Sequence, residues 1–451
     1  MNVENEKDNA DRMQDDIEIK IDSDLDSSIP DIIEDKVEDS NPDSDKYSSF
    51  FDSQQKLAER VMGRHNVLVG TASQRRKYGL NIPSLALQYV VQSNVLFMEQ
   101  LLMLAGKPAS HKSSLAFEVA RWVIMQSGGG FGRVFDTERK YSPTLALNLI
   151  GDLSNTAAGS NSWGVYVCGT FDDWAASFSK IIKDYRDYFA IGRRLKKKEK
   201  RPPLLPGCLI IDSLTGSASV ATIKSAEKDE SGSAAQGMRL AGQINSWLQR
   251  QNFTYLPWYI IVIRHEKEGG IDGPTFMAGR REKQTPGGRA PDFMGGYDLR
   301  LSTIDRERTP KGGYNLVRIV CQKNAFGVDR QRCNVRFSWE WVQEDNRNPT
   351  QVPRWEWDLA TAEFLADFDR ADIKDICHVV RGGTKVHPLF NCKQLGLVEV
   401  TGQEIGLALR QNDSLLSALQ DYLHIDRWPV FDPHMEVPEP LPTKETKNKD
   451  K

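Results

Sequence analysis

The sequence predicts an α/β protein with a mostly parallel central sheet and antiparallel strands at one edge, and three patterns carry that prediction. Five short apolar runs, EQLLMLAG (99–106), GRVFDTE (132–138), WGVYVCG (163–169), GCLIIDS (207–213) and PWYIIVIR (257–264), have the length and continuous hydrophobicity of strands buried on both faces. Amphipathic stretches at 113–126, 172–188 and 234–251 alternate with them, the arrangement that puts helices on both faces of a sheet. After Gly296 the period changes to two in YDLRLSTI, YNLVRIVCQK and QRCNVRFSWE, with Lys311-Gly312-Gly313 as a turn signal between the first pair, so antiparallel strands extend one edge.

Taken in chain order, residues 1–46 hold 17 Asp and Glu against 5 Lys and Arg and contain no aromatic residue. Such a segment buries too little apolar surface to offset chain entropy and reads as a disordered acidic tail, against a body that carries a basic excess. Residues 47–92 form a small, partly helical N-terminal element with Arg60, Arg64, Arg75, Arg76 and Lys77. The α/β core spans 93–342, a smaller and mainly helical C-terminal domain spans 343–440, and 441–451 is a polar tail. One insertion, 192–206, holds seven basic residues and one acidic one; a solvated loop and a nucleic-acid contact are both open for it.

The 451 residues, 39% hydrophobic and 27% charged, suit a soluble protein of two to three domains and exclude a disulfide-stapled miniprotein. No apolar run is long enough to span a bilayer, and the N-terminus lacks the basic and apolar regions of a secretory signal, so a cytoplasmic protein without membrane partners is expected. Six cysteines without a C-x-x-C pair fit a reducing compartment. Cys377, His378, His387 and Cys392 lie within 16 residues but do not follow zinc-finger spacing, and a structural reading is preferred.

The strongest local signal is Gly106-Lys107-Pro108-Ala109-Ser110-His111-Lys112-Ser113-Ser114, which follows a predicted strand and opens a predicted helix. This is the placement of a phosphate-binding P-loop, where backbone N–H groups and a helix N-terminus cradle phosphates, a lysine reaches the outer ones and a hydroxyl holds magnesium. Lys112 and Ser113 would take those two roles. His111 stands where the motif wants its second glycine; histidine is among the few other types enriched at positive φ, so the loop geometry is expected to survive. Two further runs end in acids at the carboxyl ends of strands, where open α/β sheets bind ligands. Glu138, in VFDTE, is a candidate general base for a hydrolytic water, and Asp212, in LIIDS, fits an acid that supports magnesium.

Together AGKPASHKSS, VFDTERKYSP, LIIDSLTG, YIIVIRHEKEG, TPGGRAPDFMGGYDLRLS and NLVRIVCQKNAFG resemble the RecA-like recombinases across residues 82–339, and within them look closest to the phage UvsX-type branch. The resemblance implies a RecA-like P-loop NTPase core, ATP and Mg2+ as cofactors, and DNA-dependent ATPase activity. It further implies a filament of this chain on single-stranded DNA that pairs with homologous duplex DNA, and single-strand-binding and mediator proteins as further partners, in the host cytoplasm if the protein is phage-encoded. By it, Glu138 is the catalytic glutamate, His265 the residue that senses the γ-phosphate, and Lys323 a lysine that reaches the neighbouring protomer's ATP. Two positions depart from the family pattern: Leu145 stands for the tyrosine that packs on adenine, and Cys321 for a second lysine acting across protomers.

Two long polar stretches follow the nucleotide-sensing strands, 216–237 and 267–288. The second carries Lys267, Arg280, Arg281 and Lys283, with Arg289 just beyond and Phe276 as an apolar wedge, a set suited to contacting a single strand with little sequence preference; a flexible charged surface loop is the alternative. A non-hydrolysing paralogue that acts as a DNA-binding mediator and a hexameric replicative helicase on the same core remain the alternative functions.

Overall fold

The computed structural model describes residues 78–126, 129–151, 153, 162–191, 193, 195–196, 199–214, 243, 247, 256–266, 295–342, 350–367, 377–380 and 388–435. The acidic tail, residues 47–77 of the N-terminal element, most of the predicted 234–251 helix, the stretch 216–237, all six candidate DNA contacts from Lys267 to Arg289, His387 and the C-terminal tail lie outside the described residues.

The sheet forms where the apolar runs predict it. Its strands are β3 (Gln100–Gly106), β4 (Phe131–Asp136), β5 (Trp163–Val167), β6 (Gly207–Asp212), β7 (Trp258–His265), β8 (Gly295–Thr309), β9 (Gly312–Asn324), β10 (Arg332–Val342) and β11 (Thr350–Trp355). They lie in the order β11-β10-β9-β8-β3-β7-β6-β4-β5. The pairings from β8 through β3, β7, β6 and β4 to β5 are parallel, and β8–β9, β9–β10 and β10–β11 are antiparallel. The strand with the longest unbroken apolar run lies next to the central β3: in β7, Trp258 to Ile263 are all buried, as expected where helices cover both faces.

Period two decides which side chain meets which helix. Along β4, Phe131 and Phe135 point to the face covered by α4 (Phe171–Tyr188), where they meet Tyr185 and Phe178 at ring-centroid distances of 6.1 and 5.7 Å. Gly132, on the opposite face, lies against Ile124 of α2 (Lys112–Gln126). Helix α4 starts at a capping box, with Thr170 Oγ1 accepting from Asp173 N at 3.2 Å and Asp173 Oδ2 from Thr170 N at 3.0 Å. It buries Phe171, Trp174, Phe178, Ile182 and Tyr185 at helical spacing. Helix α2 is covered almost all round. Its Glu118 Oε1 accepts from the indoles of Trp122 (3.0 Å) and Trp357 (3.1 Å) and from Arg121 (3.2 Å), while burial pushes the carboxyl above its usual range. A shorter helix, α3 (Pro143–Ile150), follows β4 and is capped by Ser142, whose Oγ accepts from Leu145 N at 3.3 Å.

Outside this sheet, β1 (Gly79–Asn81) and β2 (Val95–Phe97) pair antiparallel around α1 (Leu85–Val91). The region after the core adds a small sheet to the helices expected there. It carries α5 (Trp357–Asp367), α6 (Gly402–Gln411) and α7 (Asp413–Tyr422), together with an antiparallel sheet of β12 (His378–Val380), β13 (Leu389–Cys392) and β14 (Leu397–Thr401). These strands are three to five residues long, too short to show a clear alternation. The core sheet also runs past residue 342, because β11 pairs along β10; Pro353 is tolerated there because β11 is an edge strand. A second apolar cluster, with Ala362, Leu365, Phe390, Ile405, Leu409 and Leu419, takes in Leu85 from α1, so the N-terminal element and the C-terminal region share a core. Cys377 and Cys392 are buried in that cluster, and burial raises both thiols, Cys377 to about 12. Among the described residues no helix is long and apolar enough to cross a membrane.

Candidate functional site

The carboxyl ends of β3, β4, β6 and β7 open on one side of the sheet, and four separate sequence segments bring polar side chains together there. β3 ends at Gly106, whose φ of +155° and tight surroundings require glycine: a Cβ would lie 2.4 Å from Leu301 O and 2.6 Å from Ser110 Oγ. The chain then turns through exposed Lys107, Pro108 and Ala109 and buried Ser110 into α2. His111 has φ 66°, the left-handed conformation expected of the residue replacing the glycine, and its carbonyl accepts the first helical bond from Leu115 N at 3.0 Å. The first N–H groups of α2 have no acceptor within the helix and are directed toward its N-terminal end, where the loop lies.

Lys112 is buried and folds back over the loop, its Nζ donating to Gly106 O (3.0 Å), Lys107 O (2.7 Å) and Ser110 Oγ (3.4 Å). Burial lowers the ammonium to about 8, with the carboxylates of Asp212, Glu138 and Glu266 pulling the other way. Ser113 Oγ donates to Asp212 Oδ2 at 2.6 Å. Burial raises the Asp212 carboxyl and the nearby Glu138 and Asp136 carboxylates add to this, against the Ser113 hydrogen bond. A hydroxyl beside a carboxylate is an oxygen donor set of the kind a hard divalent cation accepts. No cluster of three or more His, Cys, Asp or Glu able to hold a metal by themselves occurs among the described residues.

Glu138 stands at the centre. Its Oε1 lies 2.9 Å from His265 Nε2 and accepts from Ser213 Oγ, and its Oε2 accepts from Lys140 Nζ at 2.9 Å. Burial would raise its pKa, but the bonds from Ser213 and Lys140 and the His265 charge outweigh that and hold the carboxylate below its usual range. The group is therefore ionised at neutral pH.

The residues that place Glu138 escaped the sequence reading. Asp136, buried at the end of β4, accepts three backbone N–H groups: Glu138 (3.2 Å) and Lys140 (3.3 Å) on Oδ1, and Tyr141 (3.0 Å) on Oδ2. Thr137 Oγ1 donates to Ser213 O at 2.7 Å and accepts from Ser213 N at 3.0 Å, tying the ends of β4 and β6 together. Both motifs, FDTE and IIDS, contain these residues, and short Asp and Thr side chains at strand ends are the local signal for such turns. On the other side, Glu266 N donates to Gly106 O at 3.1 Å and Glu266 pairs with Arg300 at 2.7 Å.

Lys323 is the one described candidate that stands apart from this group. It lies opposite Asp298 in the β8–β9 ladder, and Asp298 lies opposite Met103, so Lys323 is two strands from β3 at a level three residues back from Gly106. It does not reach the loop after β3 of its own chain. Cys321 is buried, its thiol raised to about 12, and does not act at a surface; Leu145 is half-buried on α3 and packs against the core. Neither protein-family models nor curated proteins yield a match to this chain.

Proposed function

We propose that this chain is an ATP-dependent DNA recombinase that polymerises on single-stranded DNA and pairs it with homologous duplex. One observation carries the reading: Lys112, Ser113, Glu138, Asp212 and His265, drawn from four distant segments, converge at the carboxyl ends of four adjacent parallel strands. The RecA-like resemblance of those same segments supports the finer assignment to recombination.

In this reading the loop N–H groups and Lys112 bind the nucleotide's phosphates, the ammonium exchanging its carbonyl partners for phosphate oxygens. Ser113 and Asp212 would hold Mg2+, which, when bound, neutralises charge on the phosphates. Glu138 accepts a hydrogen bond from the attacking water and orients it toward the terminal phosphate. His265, hydrogen-bonded to Glu138 at the end of β7, is one residue from the stretch that begins at Lys267, so a change in the Glu138 contact is transmitted along the chain toward the candidate DNA residues. Lys323 acts on a neighbouring protomer's nucleotide.

The test is steady-state ATP hydrolysis by the wild type and by Glu138→Gln, with and without single-stranded DNA. DNA-stimulated turnover that is lost in the variant supports the recombinase. DNA binding with no hydrolysis in either protein turns the reading to a non-catalytic mediator, and duplex unwinding by a closed ring turns it to a helicase.

A further inference from the structure

A histidine in place of a phosphate-loop glycine is costly in isolation, since a non-glycine residue at positive φ strains its backbone. The imidazole of His111 is nevertheless held from three sides. Its Nε2 accepts from Asn315 Nδ2 at 2.7 Å, its ring packs on Phe337 at 4.4 Å between centroids, and it meets Trp355 edge-on at 6.2 Å. The three partners form a single rung across the antiparallel edge: Asn315 on β9 lies opposite Phe337 on β10, which lies opposite Trp355 on β11. The same edge holds the loop at two more points, Trp355 Nε1 donating to Ser114 O (3.3 Å) and Thr303 Oγ1 to Ala109 O (3.4 Å).

We infer that His111 is a positioning residue for nucleotide binding: clamped by Asn315, Phe337 and Trp355, it holds the start of α2 and the phosphate loop in the conformation that receives phosphates. This rests on the nucleotide reading above. It yields a counter-intuitive expectation, that restoring the glycine weakens binding, because glycine satisfies φ but frees the backbone and abandons the clamp.

The experiment measures the affinity of a fluorescent ATP analogue for the wild type, His111→Gly, Asn315→Ala and the double variant, with the unfolding midpoint of the nucleotide-free proteins as a control for folding. Each single variant is expected to bind about tenfold more weakly, from one hydrogen bond and the added loop freedom. The double variant should be no weaker than His111→Gly, and in ATP hydrolysis the change should appear in KM with kcat retained. His111→Gly binding as tightly as the wild type, or the two substitutions adding independently, overturns the inference while leaving the nucleotide reading intact. A wild type that binds no nucleotide overturns both.

Discussion

Replacing Asp136 with alanine should damage two properties to different extents, and the structure sets both magnitudes. The carboxylate is buried and receives the N–H groups of Glu138, Lys140 and Tyr141 at 3.2, 3.3 and 3.0 Å. Hydrogen bonds to a charged acceptor contribute about 1.5–3 kcal/mol each, but two of these are long, and the freed N–H groups lie beside exposed Lys140 where water can reach them. A total loss of about 3 kcal/mol follows, readable as a lowered urea midpoint at unchanged slope. On the proposed ATPase reading, catalysis should suffer more than binding. Glu138 would lose the turn that aims it, and a displacement of about 1 Å in a catalytic group costs about a hundredfold in rate. Lys112 and Ser113, positioned by β3 and α2, would keep their places, so nucleotide affinity should change little. Assays of urea unfolding, ATP turnover and nucleotide binding on the same preparation separate these effects. Wild-type turnover in Asp136→Ala, or a loss of nucleotide affinity as large as the loss of rate, would refute the assignment of Asp136 to Glu138.

Glu118→Leu leaves the Trp122 and Trp357 indoles without their acceptor and should destabilise the fold by about 3 kcal/mol in urea unfolding, whereas Glu118→Gln, which keeps a carbonyl oxygen there, should cost about 1 kcal/mol or less. Gly106→Ala forces a Cβ to 2.4 Å from Leu301 O at φ +155° and should abolish binding of the ATP analogue, with a lowered melting temperature. Because burial holds Lys112 at about 8, the free protein carries an ammonium below that pH and a neutral amine above it. Nucleotide affinity should therefore fall as pH rises through 8, by at most about tenfold per unit, with uptake of about one proton on binding near pH 8.5; calorimetry in buffers of different ionisation enthalpy reads that proton.

Much of the site was legible because its chemistry is carried by local strings at strand ends. GKPASHKS announces a loop before a helix, and VFDTE and LIIDS each place an acid where a buried strand meets the open side of a sheet. The positive φ of His111 was expected from its place at the motif's second glycine, which histidine can occupy. The supporting contacts were not legible in the same way: Asn315 lies 204 residues from His111, and Trp357 lies 239 from Glu118, and no local pattern links such pairs. The short strands of the C-terminal sheet and the sharing of Leu85 with its core were likewise hidden, since three to five residues carry almost no periodicity.

Sequence alone determined the strand and helix alternation, the addition of antiparallel strands at one edge after Gly296, and the phosphate-loop and acid candidates. These depend on hydrophobic period and on the conformational limits of single residues, which act over a few positions. Tertiary structure alone decided that Glu138 meets His265 and Ser213, that Ser113 meets Asp212, that Lys323 stands away from its own loop, and that a rung of three antiparallel strands holds His111. Those facts depend on strand order and register, which bring residues together across the sheet through the burial of side chains that only the whole fold can enclose.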